Sequence, residues 1–334
     1  MASANPNYSD IISTTIQSRT RKIADNVTNN NAVLRRLSQK GKIRPFSGGY
    51  KILQELSFAE NSNAGYYSGY DLLPVGVSDV ISAAEFDIKQ AAVPVVISGL
   101  EQLQNAGKEQ MIDLMEARLQ VAESTLANLI TGGIYSDGTG SGGKEITGLN
   151  AAVPIDPTLT TYGGINGATY TFWQNAVSDN TAAAVNATTI QGLWNNLWAQ
   201  LVRGADRPDL IMVDNTVWTT YMASLQANQR FSNTNSGDAG FMTVKFMDSD
   251  VVLDGGIYGG AGSVTGATGA PAGTAYFLNT NYIHYRPHSA RNMVPLSPNR
   301  RYSTNQDAEV ALLCWAGNMT CSGRQFQGRF DMNG

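Results

Sequence analysis

Between Ser98 and Gly133 apolar residues return at intervals of three and four: Met111, Leu114, Met115, Leu119, Ala122, Leu126, Leu129 and Ile130. Glu109, Asp113, Glu116, Arg118, Gln120 and Glu123 fill the other positions, so the stretch reads as a helix with one apolar stripe and one wet face. Ser98 and Glu101 have the spacing of a capping box, and Gly132-Gly133 offers the left-handed backbone that ends a helix. Asn105 and Gly107 leave two forms open, one rod or a short helix followed by a main one from about Gly107. Unbroken, the helix would run roughly 48 Å. Few compact enzymes need such a beam, and the rest of the chain is read around it.

The sequence of 334 residues has room for two domains or one large one. Its longest apolar run, Ala91 to Ile97, contains Pro94 and falls far short of the roughly 18 residues of a membrane span, so a soluble, cytosolic chain with no membrane partner is expected. Cys314 and Cys321 lack nearby histidine pairs and read as ordinary thiols. Charged residues make up only 15%, against about 25% in a typical soluble domain. A neutral surface and a surface covered by other subunits both fit that depletion. The net charge of −4 hides an asymmetry: residues 1–45 hold eight basic against two acidic residues, +6, which leaves −10 for the remainder.

Residues 1–46 are polar and basic, with Arg19, Arg21, Lys22, Arg35 and Arg36 foremost, and read as an arm with one short helix around Val33, Leu34 and Leu37. Such an arm is a solvated tail, or it meets phosphate or an acidic neighbour. Alternation then implies two strands, Tyr50–Glu60 and Val80–Gln90. Between them lie Gly65, Gly69, Pro74, Gly76 and the aromatics Tyr66, Tyr67 and Tyr70, so the whole is a long hairpin with an aromatic tip. A projecting hairpin cannot cover Tyr66, Tyr67, Tyr70 and Leu72 by itself; a partner subunit, or its own domain if the tip folds back, must do so.

After the long helix comes a Gly-rich loop from Gly132 to Gly148. Helical spacing returns at Ile190, Leu193, Trp194, Leu197, Trp198 and Leu201, followed by a buried strand from Asp209 to Val213 and a helix capped by Asp214 or Asn215. This order implies an α/β subdomain, in which Trp194, Trp198 and Trp218 sit at core spacing. Further strands are expected at Val244–Met247, Val251–Asp254, Ala275–Leu278, Tyr282–Arg286, Ala308–Ala316 and Gly323–Phe330.

Gly138 to Lys144 fits the G-x-x-x-x-G-K part of a phosphate loop, and a nucleotide-binding enzyme built on it is the remote alternative. Three features oppose it. Glu145 stands where a magnesium-binding hydroxyl belongs, the loop follows a helix instead of a strand, and no convincing helix begins at Lys144. His284 and His288 are the only histidines, and Pro287 places them in a strand and turn without a third metal ligand. Asp248 and Asp250 read as turn residues, and no serine has a nucleophile-elbow setting. No catalytic, cofactor or metal site is therefore expected.

Several segments, in this order, resemble tailed-bacteriophage major capsid proteins of the Hong Kong 97 type. They are Tyr67 to Tyr70, Ala84 to Asp87, Ile97 to Glu101, Asn105 to Gln110, Ser136 to Thr139 with Ile146 to Leu149, Arg207 to Asn215, Ala275 to Thr280 and Gln325 to Phe330. The resemblance spans most of residues 50–334. It implies an α+β, Hong Kong 97-like capsid fold, with an N-terminal arm (1–46), an extended β-hairpin loop (47–97) and a peripheral domain with a long spine helix (98–149). An axial α/β domain (150–280) and the return strands of the peripheral domain with the C-terminus (281–334) complete it. The implied function is structural, not enzymatic: hexamers and pentamers of an icosahedral head shell around non-specifically held double-stranded DNA, in a virion assembled in the host bacterial cytoplasm. Implied partners are further copies of the chain, portal and scaffolding proteins, and a decoration protein as an optional addition. The chain shows no scaffolding segment of its own. An encapsulin-like compartment shell is the rival reading within the fold. One branch of the family joins a hairpin lysine covalently to an asparagine of a neighbour with a glutamate as base. Here the tip from Glu60 to Val80 has no lysine, and Lys51 and Lys89 sit at the base, so a non-crosslinked shell is expected.

Overall fold

The computed structural model describes residues 31–72, 75–98, 100, 108–180, 184–225, 243–254, 269–296, 301–302 and 308–332, with the backbone alone over 108–117, 243, 301–302 and 308–309. Glu101 of the expected capping box, the arm residues Arg19, Arg21 and Lys22, and residues 255–268 lie outside them; Ser98 is described and its hydroxyl accepts from the Leu100 amide at 3.3 Å.

The long helix, α2, spans Lys108–Tyr135, about 42 Å at 1.5 Å per residue. Leu119, Ala122, Leu126, Ile130 and Ile134 are buried along it, while Leu129, expected in the stripe, is exposed. The Gly132-Gly133 pair does not end the helix. It lies inside, where a Cβ on Gly133 would stand 2.8 Å from Ile146 Cδ1, so the glycine admits the returning loop.

Two larger sheets hold most of the described strands, beside two two-stranded ladders, one of them Thr161–Tyr162 paired with Ile165–Asn166. In the first, the 14-residue strand Ala308–Cys321 (β12) is central. Lys89–Ser98 (β3) pairs antiparallel along one of its edges, and Ile283–Pro287 (β9), Val294–Pro295 (β10) and Arg301–Tyr302 (β11) pair with the other. At Gly317, opposite both Lys89 and Pro287, a Cβ would lie 2.6 Å from the Arg286 carbonyl oxygen. Pro94 is accommodated within this ladder, opposite Leu312.

The second sheet has six strands in the order β4-β13-β8-β5-β7-β6: Ala176–Asp179 (β4), Gly328–Asp331 (β13), Thr274–Leu278 (β8), Leu210–Val213 (β5), Ser249–Leu253 (β7) and Thr243–Phe246 (β6). The β13/β4 and β5/β7 pairs are parallel and the others antiparallel. Every residue of β5 is buried because the sheet separates two cores. Leu210, Met212, Tyr276 and Leu278 face the main core, whereas Ile211, Val213, Ala275 and Phe277 face a second one under Ile190–Leu201 (α3) and Asn215–Leu225 (α4). Trp194 centres that second core, stacked on Tyr221 with ring centroids 4.5 Å apart and edge-on to Phe246 and Phe277. Asp214 caps α4 by accepting from the Thr216 amide at 3.0 Å, and it also ties down the Gly273 amide. The last strand departs from the division expected at residue 280: β13 lies in this six-stranded sheet, beside β8, and not with the strands of the first. Gly323–Phe330 is correspondingly a 3₁₀ turn at Arg324–Phe326 followed by a short strand, not one strand.

The end of the arm is docked. Ala32–Gln39 (α1), capped by Asn31, buries Ala32, Val33, Leu34 and Leu37 in the main core. No described helix is long and apolar enough to cross a membrane.

Candidate functional site

The hairpin consists of Ile52–Ser57 (β1) and Ile81–Phe86 (β2), antiparallel with Ile52 opposite Phe86 and Ser57 opposite Ile81. Its base is held firmly because alternation gives it one inward face: Ile52, Leu56, Ala84 and Phe86 are buried. Thr320 donates to the Gln54 side chain at 3.2 Å, the Glu85 amide to the Gly163 carbonyl at 3.0 Å, and the Asn318 amide group to the Asp87 carbonyl at 2.8 Å. Lys51 and Glu85 form an ion pair at 2.8 Å across the outer face.

The last cross-strand bond is from the Phe58 amide to the Val80 carbonyl, beside a Phe58–Phe172 ring contact. Beyond it the loop is shaped by its own polar groups. Asn63 donates to the Gly76 carbonyl at 2.6 Å, and the Ser68 amide to Asp71 at 2.8 Å. Its apolar side chains are bare: Tyr66, Tyr67 and Tyr70 are exposed, and Leu72 retains 98% of its accessible surface. Val75 and Val77 in the loop, and Leu53 and Ile81 on the outer face of the hairpin, extend the exposed set. These four were not foreseen, although Leu53 between Lys51 and Glu55 and the V-G-V spacing at 75–77 mark apolar residues on a face that should be wet. An uncovered set of this size on one projection is characteristic of an interaction surface.

Of the arm's basic residues, Arg36 is engaged within the chain. Its Nε donates to Asp209 at 3.1 Å and its guanidinium lies 3.7 Å from Asp250, while Lys40 reaches Asp209 at 3.1 Å. Asp209 also accepts from the Thr280 amide and hydroxyl, so it joins the arm helix to the link between β8 and β9. Arg35 is half-buried on the same helix.

The Gly138–Lys144 loop is not arranged to receive phosphate. The Glu145 carboxylate accepts from Ser136 at 2.7 Å and Ser141 at 3.3 Å, and a Cβ on Gly140 would fall 2.3 Å from it. The loop wraps its own anion, it follows α2, and only the single turn Leu149–Ala152 comes after it. A groove of about 910 Å³ beside it is floored by Ala91, Ile130 and Trp315 and rimmed by Lys89, Lys144 and Glu145. His288 accepts the Ala290 amide on Nδ1 and meets Phe46 edge-on, whereas His284 is buried in β9. The two rings are thus occupied separately. Cys314 and Cys321 are buried free thiols, the latter pushed up to about 11 by burial.

No family model and no curated protein matches the chain. Solved structures do. The subunit of the cyanophage A-1(L) capsid superposes with a TM-score of 0.64 at 13% identity, covering 88% of this chain and 91% of that one. The capsid of a native GTA particle gives 0.57 at 11% identity, over 89% and 90%. An encapsulin complex from Synechococcus elongatus gives 0.51 at 8% identity, over 86% and 83%. The chain has the phage capsid fold from near one end to the other.

Proposed function

We propose that this chain is a major capsid protein that self-assembles, as hexamers and pentamers, into the icosahedral head shell of a tailed phage around double-stranded DNA. The observation that carries the reading is the pairing of that fold over almost the whole chain with a projecting hairpin whose aromatic tip is uncovered. Function is association, not turnover: Tyr66, Tyr67, Tyr70 and Leu72 gain cover only from another copy. The basic stretch ahead of α1, with Arg19, Arg21 and Lys22, faces the genome or an acidic neighbour. Portal and scaffolding proteins, and a decoration protein where one is present, complete the assembly, which takes place in the bacterial cytoplasm.

The test is electron microscopy of the purified full chain together with its nucleic-acid content. Closed shells that package DNA in infected cells bear the proposal out. Shells enclosing a protein cargo and no DNA assign the chain to the encapsulin-like class instead, and a subunit that stays monomeric at every concentration overturns both.

A further inference from the structure

We propose that residues 154–174 form a rigid prop that fixes the direction in which the hairpin leaves the body of the chain, with Gly163 and Phe172 as its positioning residues. The inference rests on the shell reading only for the use made of that direction.

The excursion adds no strand to either large sheet. Thr161–Tyr162 pairs with Ile165–Asn166 around a two-residue turn at Gly163–Gly164, whose φ angles of 60° and 78° suit so tight a reversal. The segment is nevertheless built stiffly. Tyr162 and Trp173 are buried, and the Trp173 indole donates to the Tyr162 carbonyl at 2.9 Å. Gln174 donates to the Gly167 carbonyl at 2.7 Å and Asn175 to the Pro154 carbonyl at 3.0 Å. Arg324, fully buried, clamps it to the body. Its Nε donates to the Ala152 carbonyl at 2.8 Å, a terminal nitrogen donates to the Thr160 hydroxyl at 3.3 Å, and the guanidinium lies 5.3 Å from the centre of the Tyr162 ring.

A segment that enters neither large sheet yet is fastened this way acts as a support, and it meets the hairpin at two levels. At the base, the Gly163 carbonyl takes the Glu85 amide on the edge of β2 away from β1, and Tyr162 meets Phe86 edge-on at 5.0 Å. A Cβ on Gly163 would stand 2.7 Å from Ala84 Cβ and 3.0 Å from the Phe86 ring, so β2 lies as close to the turn as a glycine allows. Further out, the Phe172 ring, backed by Trp173 and Tyr170 at 6.1 and 5.8 Å, lies 5.5 Å from Phe58, which makes the last cross-strand bond. Ala84 is opposite Gln54, so the two levels are separated by the rise from Gln54 to Phe58, roughly 13 Å. One contact would fix a position; two fix a direction. Phe58 and Phe172 are only half-buried and Tyr170 keeps 50% of its surface, so this row flanks the hairpin and is not part of the core. A hairpin whose direction is set before association reaches a neighbouring copy without the cost of being ordered there.

The test uses the full, unassembled chain with nitroxide labels at Ser68→Cys in the hairpin loop and Gln120→Cys on α2, both exposed, while the native thiols are buried. The spread of label-to-label distances reports the hairpin's direction. Phe172→Ala is expected to widen that spread about twofold and Gly163→Ala to displace its centre, while Phe172→Tyr leaves both as they were. Val217→Ala, fully buried in the second core, should lower the unfolding midpoint without moving the distances, which separates loss of direction from loss of stability. The Phe172→Ala chain should also need about threefold more protein to assemble. Unchanged distances in Phe172→Ala or Gly163→Ala, or an equal change in Val217→Ala, overturn the inference. Assembly at the original concentration by a chain with widened distances overturns the use assigned to the direction. A starting chain that never assembles sinks the shell reading instead, and the label distances still decide whether the prop exists.

Discussion

Trp194 and Tyr67 are both large aromatics, yet one is completely buried and the other keeps 67% of its surface. Trp194 lies among Tyr221, Phe246, Phe277 and Phe330, drawn from one helix and three strands of a single subdomain. Tyr67 lies in a loop that, among the described residues, is fastened by hydrogen bonds within itself. The contrast separates two uses of apolar surface. In the α/β subdomain it holds one chain together, and at the tip it is left over after folding and is available to hold chains to each other.

The largest effect on the isolated subunit should come from the packed side of this comparison. Trp194→Ala is expected to cost about 3–5 kcal/mol, seen as a lower denaturant midpoint and a loss of soluble protein. The paired change Tyr67→Asp/Tyr70→Asp should move the same midpoint by less than about 0.5 kcal/mol and yet prevent shells from forming. Equal loss of stability in both variants would erase the distinction between the two regions.

A second test concerns the region beneath the hairpin base. His284 in β9 is held down to about 4 by burial and by Arg44, Lys42 and Arg286, against 6.5 in its ordinary state. The unfolded chain therefore binds a proton that the folded chain refuses between those values, and stability must fall as pH drops from about 6.5 to about 4, by a ceiling of about 3 kcal/mol. Below about 4 both states are protonated and this contribution levels off. His284→Gln should flatten the slope in that window, as measured by urea unfolding at stepped pH. An identical slope in the variant would place the proton uptake elsewhere.

Smaller still is the tie between arm and subdomain. Arg36→Met leaves Asp209 with Lys40 and Thr280, so a loss of about 1–2 kcal/mol is expected, with α1 still docked through Val33, Leu34 and Leu37. Release of the arm to proteolysis in this variant would show that the ion pair, and not the apolar face, holds it.

What was legible in the sequence follows the range of the interactions. The stripe at Leu119, Ala122, Leu126 and Ile130, the alternation around Leu56 and Phe86, and the cap at Asp214 are local patterns, and the elements they predict are present. The partner of 89–98 is not local, since β3 owes its form to β12 more than two hundred residues later, and an isolated apolar run with a proline carries no mark of that ladder. The interior glycine at 133 reads as a stop until Ile146 is seen against it. The surroundings of His284 were invisible for the same reason: Lys42 and Arg44 become its neighbours only through the parallel bridges at Ile43 and Phe46. The bare tip was legible because it depends on what its own segment lacks.

The smallest expected effect is an absence, and it joins the tip to its base. A covalent bond between shells' subunits through the hairpin would need a lysine that reaches a neighbour and can give up its proton. Lys51 meets neither requirement. Its ammonium is 2.8 Å from Glu85 in the same hairpin, and the hydrogen bond and charge of that carboxylate raise its pKa above the ordinary value, so it stays protonated. Lys89 is anchored in β3, donating to the Gly143 carbonyl at 2.5 Å. Each stands some ten residues from the lysine-free tip, roughly 30 Å along a strand rising about 3.3 Å per residue. Mature particles boiled in detergent should therefore run as a single band at the 35.8 kDa of the chain. A ladder of covalent oligomers would show that one of these lysines leaves its partner on assembly, and Lys51→Arg and Lys89→Arg, tried singly, would reveal which.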